Sequence, residues 1–185
     1  MSARHLDVGT LVDYWIGETN DATTQAIDEH LMGCDACGAE MDAVIALAAG
    51  VRGAFAAGRV GTYLSAGFVT RLVDRGVRVR EYRVPLNGSV QCGVGPDDQM
   101  LLSRLQLPPE PVRRIDAVVT RGEFEERRED VPFDATTGEV LFTPRLAETR
   151  AAPPHDLLVR LLAVDDAGGR RELGHYTMHH RPWSG

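Results

Sequence analysis

The spacing of apolar residues along the chain changes near Gly76. Before this glycine, apolar residues recur every three or four positions, which is the period of an amphipathic helix. Beyond it, short β-branched runs alternate apolar and polar positions and are separated by turn residues, which is typical of strands. The sequence therefore predicts an α+β chain of two domains, with a helical domain over residues 1–75 and an all-β domain over residues 77–185.

Three short helices followed by a hinged fourth are predicted in the helical domain. Residues that favour helix ends lie at the expected boundaries: Gly17, Asn20 or Asp21, Gly33, Asp35 and Gly50. The segment at about residues 50–61 is small and glycine-rich, so it is predicted to be a hinge.

Apolar residues on two of these helices are candidate partner-binding residues. Leu11 and Trp15 share a face of the first helix, one turn apart. In the fourth helix, Leu64, Phe68 and Leu72 repeat at i, i+4 and i+8. The apolar face of the fourth helix is left unpaired by the predicted elements, so it needs a partner.

Seven strands are predicted in the second domain. They cover residues 77–84, 89–94, 100–107, 115–121, 139–143, 157–165 and 171–179. Hairpin signals at residues 87–88 and 165–169 and a tight turn at residues 134–138 separate some of them. This pattern favours a sandwich or a small barrel. The mixed-charge run at residues 123–130 is interpreted as a solvated loop or edge.

Charge and hydropathy exclude several classes of protein. The net charge is -7, so nucleic-acid backbones and anionic lipids are disfavoured as partners. The longest apolar stretch, residues 43–51, is about half of what a membrane span needs, and no signal-peptide pattern begins the chain. We therefore expect a cytoplasmic protein. No nucleophile elbow, P-loop or dinucleotide fingerprint occurs, so an enzyme is not predicted.

The pattern H-x3-C-x2-C, formed by His30, Cys34 and Cys37, carries the chemistry of the helical domain. It spans the predicted junction of the second and third helices, where the three side chains can converge. Thiolate and imidazole are the ligands that zinc prefers in tetrahedral structural sites. A redox dithiol and a pair of inert buried cysteines are the alternatives, but the βαβ context of redox C-x-x-C motifs is absent.

Three ligands leave one position of a tetrahedral site open. His5, just before the first helix, is the best candidate for it, Asp7 is the second, and a bound water is the third. With His5 the set is His2Cys2, whose two thiolates balance the charge of one Zn²⁺ ion. The sequence therefore predicts one structural zinc per chain and no catalytic residues.

This part of the sequence resembles the zinc-binding anti-sigma factors of bacteria. The resemblance runs from His5 to about Val51 and includes H-x3-C-x2-C, the LVDYWxGE segment at residues 11–18 and DEHL at residues 28–31. The separation of His5 from His30, with two cysteines following, is similar to ChrR-type cytoplasmic members. Members that respond to thiol oxidation carry a further cysteine where this chain has His5, so a disulfide switch is not expected.

The resemblance implies a three-helix bundle with a flexibly linked fourth helix that binds an extracytoplasmic-function (ECF) sigma factor. Such a protein holds the sigma factor away from RNA polymerase until a stress signal releases it. Charge agrees with this function, because residues 1–60 hold nine acidic and three basic residues, a net charge of -6. An acidic surface complements the basic surfaces that a sigma factor uses on promoter DNA.

The second domain is a possible sensor, because ChrR-type proteins carry a metal-binding cupin there. The cupin motif G-x5-H-x-H-x3,4-E is absent here, so neither that fold nor its metal is carried over. His175 and His179 share a strand face about 13 Å apart, too far to chelate one ion, and His180 points to the other face. His155 completes the set of histidines, and Cys92 is interpreted as a packed thiol.

Two other functions remain open from the sequence. The β-domain could be a metal-dependent ligand sensor or an enzyme, with the zinc module as an adaptor. Direct DNA binding by the zinc corner is the third, and the acidic charge of that region opposes it.

Overall fold

The computed structural model describes residues 5–183. Its five helices are α1 (Val8–Ile16), α2 (Asp21–Gly33), α3 (Asp35–Ala56), α4 (Ala66–Asp74) and α5 (Leu146–Ala151). Its nine strands are β1 (Thr62–Leu64), β2 (Val79–Val84), β3 (Ser89–Cys92), β4 (Met100–Gln106), β5 (Ile115–Arg121), β6 (Phe124–Arg128), β7 (Glu139–Thr143), β8 (His155–Val164) and β9 (Arg170–His180). The chain forms two compact units, Met1–Ala54 and Phe55–Gly185, called here the helical unit and the β-rich unit.

The helical unit is built from α1, α2 and most of α3. Asn20 caps α2 by accepting a hydrogen bond from the Thr23 amide at 2.9 Å, which confirms one of the two predicted caps. Gly17 ends α1 with a φ of 79°, a left-handed conformation that glycine adopts without strain. The core of the unit contains Leu11, Met41 and Val44.

The third helix is longer than predicted. We expected it to end at Gly50 and a hinge to follow over residues 50–61, but α3 continues to Ala56. Arg52, Ala54 and Ala56 of the extension are strong helix formers, and their preference offsets the cost of Gly50 and Gly53. The boundary between the two units falls inside α3, after Ala54, and not at residues 75–77.

Two mixed sheets make up most of the β-rich unit. One has the strand order β1-β7-β4-β2 and the other β3-β9-β8-β5-β6. Most neighbours are antiparallel, but β2 pairs parallel with β4 and β3 parallel with β9. Side chains from both sheets form one core, which includes Leu105, Val140, Val159, Leu161 and Tyr176.

The prediction of an all-β second domain is therefore wrong in one respect and incomplete in another. Helices α4 and α5 belong to the β-rich unit, and neither sheet of the described residues closes into a barrel. All seven predicted strands are present, with ends that differ by up to two residues. Strands β1 and β6 and helix α5 were not predicted. The mixed-charge run at residues 123–130 contains β6, an edge strand.

Helix α4 covers one face of the first sheet. Val69 and its neighbours Phe68 and Leu72 pack in a cluster with Leu102 of β4 and Leu141 of β7. The expectation that this apolar face is free to contact another molecule is wrong, because the first sheet of the same unit covers it.

None of the helices in the described residues is both long enough and apolar enough to cross a membrane.

Candidate metal centre

Four side chains of the helical unit meet at the corner between α2 and α3. His5 precedes α1, His30 lies in the last turn of α2, Cys34 is the residue that ends α2, and Cys37 lies in the first turn of α3. One ligand atom from each residue lies within 4.8 Å of all the others. The structure thus brings together all four residues predicted from the spacing, and the group could hold one metal ion.

The distances within the group fit tetrahedral coordination. His30 Nε2 lies 3.2 Å from Cys37 Sγ. His5 Nδ1 lies 3.5 Å from Cys34 Sγ and 3.6 Å from Cys37 Sγ. Metal–nitrogen and metal–sulfur bonds of about 2.0 and 2.3 Å at the tetrahedral angle place nitrogen and sulfur about 3.5 Å apart. The ligand atoms therefore surround a space of the size that such an ion needs.

The surroundings of the group support the two sulfurs unequally. Cys37 is buried and its Sγ accepts a hydrogen bond of 3.4 Å from the Leu6 amide. Cys34 and His30 are half-buried, and His5 is exposed. Outer hydrogen bonds of this kind orient metal ligands and offset the negative charge of a thiolate. The Leu6 amide was not predicted, because a backbone donor leaves no side-chain signature in a sequence.

Asp7, the second candidate for the fourth position, has another role. Its carboxylate caps α1 and accepts hydrogen bonds from the Thr10 amide at 3.0 Å and the Thr10 hydroxyl at 2.7 Å. These bonds, chiefly the one from the backbone amide, lower the pKa of Asp7 below its ordinary value. The cap also fixes the start of α1, which immediately follows the segment that carries His5.

The five predicted partner-binding residues lie in different environments. Leu11 is fully buried in the helical unit, so it is a core residue and not a contact residue. Trp15 is 39% exposed. Leu64 belongs to β1 and not to α4, and it packs with Phe68 and Leu72 in the cluster beneath α4. Of the five, Trp15 alone presents a large exposed surface.

The histidines of the β-rich unit do not form a second group of this kind. His175 lies 3.2 Å from Glu172, and His179 lies 2.9 Å from Asp156. The rings of His155 and His180 are 5.0 Å apart. Within residues 5–183, the group at the α2–α3 corner is the one cluster of three or more His, Cys, Asp and Glu ligand atoms that could hold an ion.

The third cysteine is packed, as predicted. Cys92 is buried in the core between the two sheets, and this burial raises the pKa of its thiol to about 11. A thiol with such a pKa is protonated at neutral pH and is a poor nucleophile.

Comparisons with known proteins give little beyond this geometry. No protein-family model matches the chain, and no curated protein matches it. Among solved structures, the N-terminal domain of phage TP901-1 ORF48 is similar over 55% of this chain and 97% of its own, at 15% identity and a TM-score of 0.36.

Proposed function

We propose that this protein is a zinc-binding anti-sigma factor that binds an ECF sigma factor and inhibits transcription until a stress signal releases it. The observation that carries the proposal is the group of His5, His30, Cys34 and Cys37, whose spacing along the chain is the one shared with that family. The proposal places the protein in the cytoplasm, where sigma factors act.

Zinc is the proposed metal because of the donor set. Two thiolates and two imidazoles suit a tetrahedral Zn²⁺ ion and complete its coordination, so the site is structural. The ion would tie the segment before α1 to the corner between α2 and α3. The residues of this chain then hold the three helices in one arrangement, with Leu11, Met41 and Val44 in their core.

The surface of the helical unit supports a protein partner. Six large apolar side chains in the described part of the helical unit are exposed: Val8, Trp15, Ile16, Met32, Leu47 and Val51. Val8 and Trp15 lie seven residues apart on α1, and Leu47 and Val51 lie four apart on α3, so each pair shares a helix face. Exposed apolar surface within an acidic unit suits a partner with an apolar groove and a basic rim.

The direct test begins with the tagged, zinc-loaded full chain in extract from its native cells, with captured proteins identified by mass spectrometry. We expect an ECF sigma factor in near-equal amount. Calorimetry with that purified sigma factor should give a dissociation constant of about 1 μM or lower. A folded, zinc-loaded chain that captures no sigma factor would overturn the proposal.

Variants separate the metal site from general effects of cysteine loss. Cys34→Ser should lose zinc and weaken sigma-factor binding by about tenfold or more, because metal binding and folding of such sites are coupled. Cys92→Ser is the matched control, since it removes a thiol from the β-rich unit, and it should bind as the native chain does. Unchanged affinity of Cys34→Ser would contradict the zinc-dependent part of the proposal.

A further inference from the structure

A cavity of about 420 Å³ lies between the two sheets of the β-rich unit. This volume is within the range of small-molecule sites. Its apolar wall includes Val119 of β5, Phe142 of β7, Leu157 of β8 and Met178 of β9. These residues lie far apart in the sequence, so no short sequence motif predicts the cavity.

Two buried polar atoms on this cavity lack partners. Tyr63 is 7% exposed and His180 is 4% exposed, and both line the cavity. Within the part of the chain that the structure describes, the Tyr63 hydroxyl and His180 Nδ1 are the buried side-chain polar atoms without a hydrogen-bond partner. By contrast, the buried Tyr176 hydroxyl donates to the Gln106 carbonyl at 2.6 Å. Because an unpaired buried polar group is costly, these two atoms are candidate hydrogen-bonding groups for a ligand in the cavity.

The charged side chains at the cavity leave one cation unpaired. Glu126 and Arg128 form one ion pair, and Arg145 and Glu148 form another at 3.0 Å. Arg121 also lines the cavity, and no carboxylate of residues 5–183 lies within ion-pair distance of it. Among the arginine and glutamate side chains of the lining, three cations face two anions, which leaves one net positive charge.

Arg121 and Tyr63 both line this cavity. Val119 pairs with Glu126 across the β5–β6 hairpin, and Arg121 lies two residues further along β5, on the same face. Glu126 is close enough to Tyr63 for its charge to raise the pKa of the phenol, in addition to the larger effect of burial. The cavity therefore offers a ligand one guanidinium donor and one hydroxyl donor.

The other polar end of the cavity is poorly suited to a metal ion. His180 pairs in register with Cys92 on β3 and with His155 on β8, so the three residues lie side by side. Their ligand atoms, however, do not converge in the way that those of His5, His30, Cys34 and Cys37 do. Burial, and then the neighbouring His155 and Arg181, lower the pKa of His180 below its ordinary value, so its ring is neutral at neutral pH.

We propose that this cavity binds a small organic monoanion with a largely apolar body, whose anionic group is held by Arg121 and by the hydroxyl of Tyr63. The apolar body lies against Val119, Leu157 and Met178. The site belongs to the β-rich unit alone, so its test does not depend on whether the helical unit binds a sigma factor.

The test is calorimetric titration of the full zinc-loaded chain with two pairs of probes. One pair is octanoate and neutral octanamide, and the other is 2-naphthoate and neutral 2-naphthamide. We expect saturable binding of at least one anion at one per chain, about tenfold tighter than its neutral partner, because charge-assisted hydrogen bonds to Arg are among the strongest.

Three variants locate the site. Arg121→Gln should weaken anion binding by about tenfold, whereas Arg113→Gln, an exposed arginine outside the cavity, should not change it. Tyr63→Phe should weaken binding by about fivefold without lowering the melting temperature of the free protein, because it removes an unpaired buried hydroxyl. A merely structural role for Tyr63 would not combine weaker binding with unchanged or higher stability.

Three results would overturn the proposal. The first is the absence of saturable binding by both anions. The second is equal affinity for the anions and the amides, unaffected by Arg121→Gln, which would indicate an apolar crevice only. The third is a second equivalent of Zn²⁺ per chain that Cys92→Ser abolishes, which would assign the cavity to a metal.

Discussion

At the scale of single residues, Asp116 is a fully buried carboxylate in the β-rich unit. Its side chain has no exposure to solvent. Its carboxylate accepts hydrogen bonds from Arg127 at 2.9 Å, Arg170 at 3.0 Å and the Asp130 amide at 3.1 Å. A buried charge is stable only when it is paired and hydrogen-bonded, and these three donors provide both.

Removing this charge should destabilise the β-rich unit. We expect Asp116→Asn to lower the free energy of unfolding by about 2 kcal/mol, because two arginines lose their buried partner. Asp97→Asn is the matched control: Asp97 pairs with Arg78 at 3.9 Å on an exposed surface, and its loss should cost less than about 0.5 kcal/mol. Urea denaturation of both variants measures the difference. Equal losses of unfolding free energy would show that the Asp116 network stabilises the fold no more than an exposed ion pair does.

His180 should make stability depend on pH. Burial holds its folded pKa below the ordinary value, so the unfolded chain binds the proton more readily. Stability is therefore lost as the pH falls through the unfolded pKa of about 6.5. Urea titrations near neutral pH and near pH 5 should show a larger loss for the native chain than for His180→Gln. If the native chain and the variant lose equal stability, protonation of His180 does not destabilise the folded state.

The candidate metal ligands could be predicted from the sequence, but the Asp116 network could not. His30, Cys34 and Cys37 lie within eight consecutive residues at a helix junction, so their local spacing already brings them together. Asp116, Arg127 and Arg170 lie on three strands, and their contact depends on which strands pair. No local sequence pattern predicts which of these strands are neighbours in the sheet.

At the scale of elements, α4 was correctly predicted to be a helix, but its packing partner was not predicted. The apolar stripe was visible in the sequence, and it does form a helix. A stripe alone does not say whether another molecule or a sheet of the same chain covers it. Here the sheet covers it, so the helix is part of the β-rich unit.

Two valines of α4 test this packing. Val69 is 3% exposed, and Val73, one turn later, is 49% exposed. Val69→Ala should lower the free energy of unfolding by about 2 kcal/mol, because buried methyl groups are lost and a cavity is left. Val73→Ala should change it by less than about 0.5 kcal/mol. Chemical denaturation compares them, and a small effect at both positions would favour the freely hinged helix expected from the sequence.

Strands β1 and β6 and helix α5 were missed because none of them shows a periodic apolar pattern in the sequence. Strand β6 contains mostly Glu and Arg, so it lacks the apolar alternation by which a strand is recognised. It can remain so polar because it lies at the edge of its sheet, paired with β5 alone. Strand β1 has three residues and α5 has six, too few for a period to be visible.

At the scale of the whole molecule, the change of period near Gly76 indicated two parts, and the chain does form two compact units. The boundary itself lies about twenty residues earlier, because α4 joins the sheet and residues 50–56 stay helical. The core of the helical unit contains residues up to Ile45, and the clusters of the β-rich unit begin at Phe55. The two units therefore have separate cores.

Separate cores predict separate responses to metal removal. The chain has two tryptophans, Trp15 in the helical unit and Trp183 in the β-rich unit, so each unit has its own fluorescent reporter. In Trp183→Phe, a zinc chelator should shift the Trp15 unfolding transition to a lower urea concentration, together with a loss of helical signal, because structural zinc sites usually unfold without metal. In Trp15→Phe, the Trp183 transition should not move.

Cys34→Ser provides the matched control for the chelator itself. In this variant the Trp15 transition should already lie at low urea, and the chelator should move it no further, because one of the four candidate metal ligands is gone. A chelator effect that persists in Cys34→Ser would place the metal elsewhere in the chain. Transitions of Trp15 and Trp183 that shift together would show that the two cores unfold as one cooperative unit, and that a metal held at the α2–α3 corner stabilises the entire molecule.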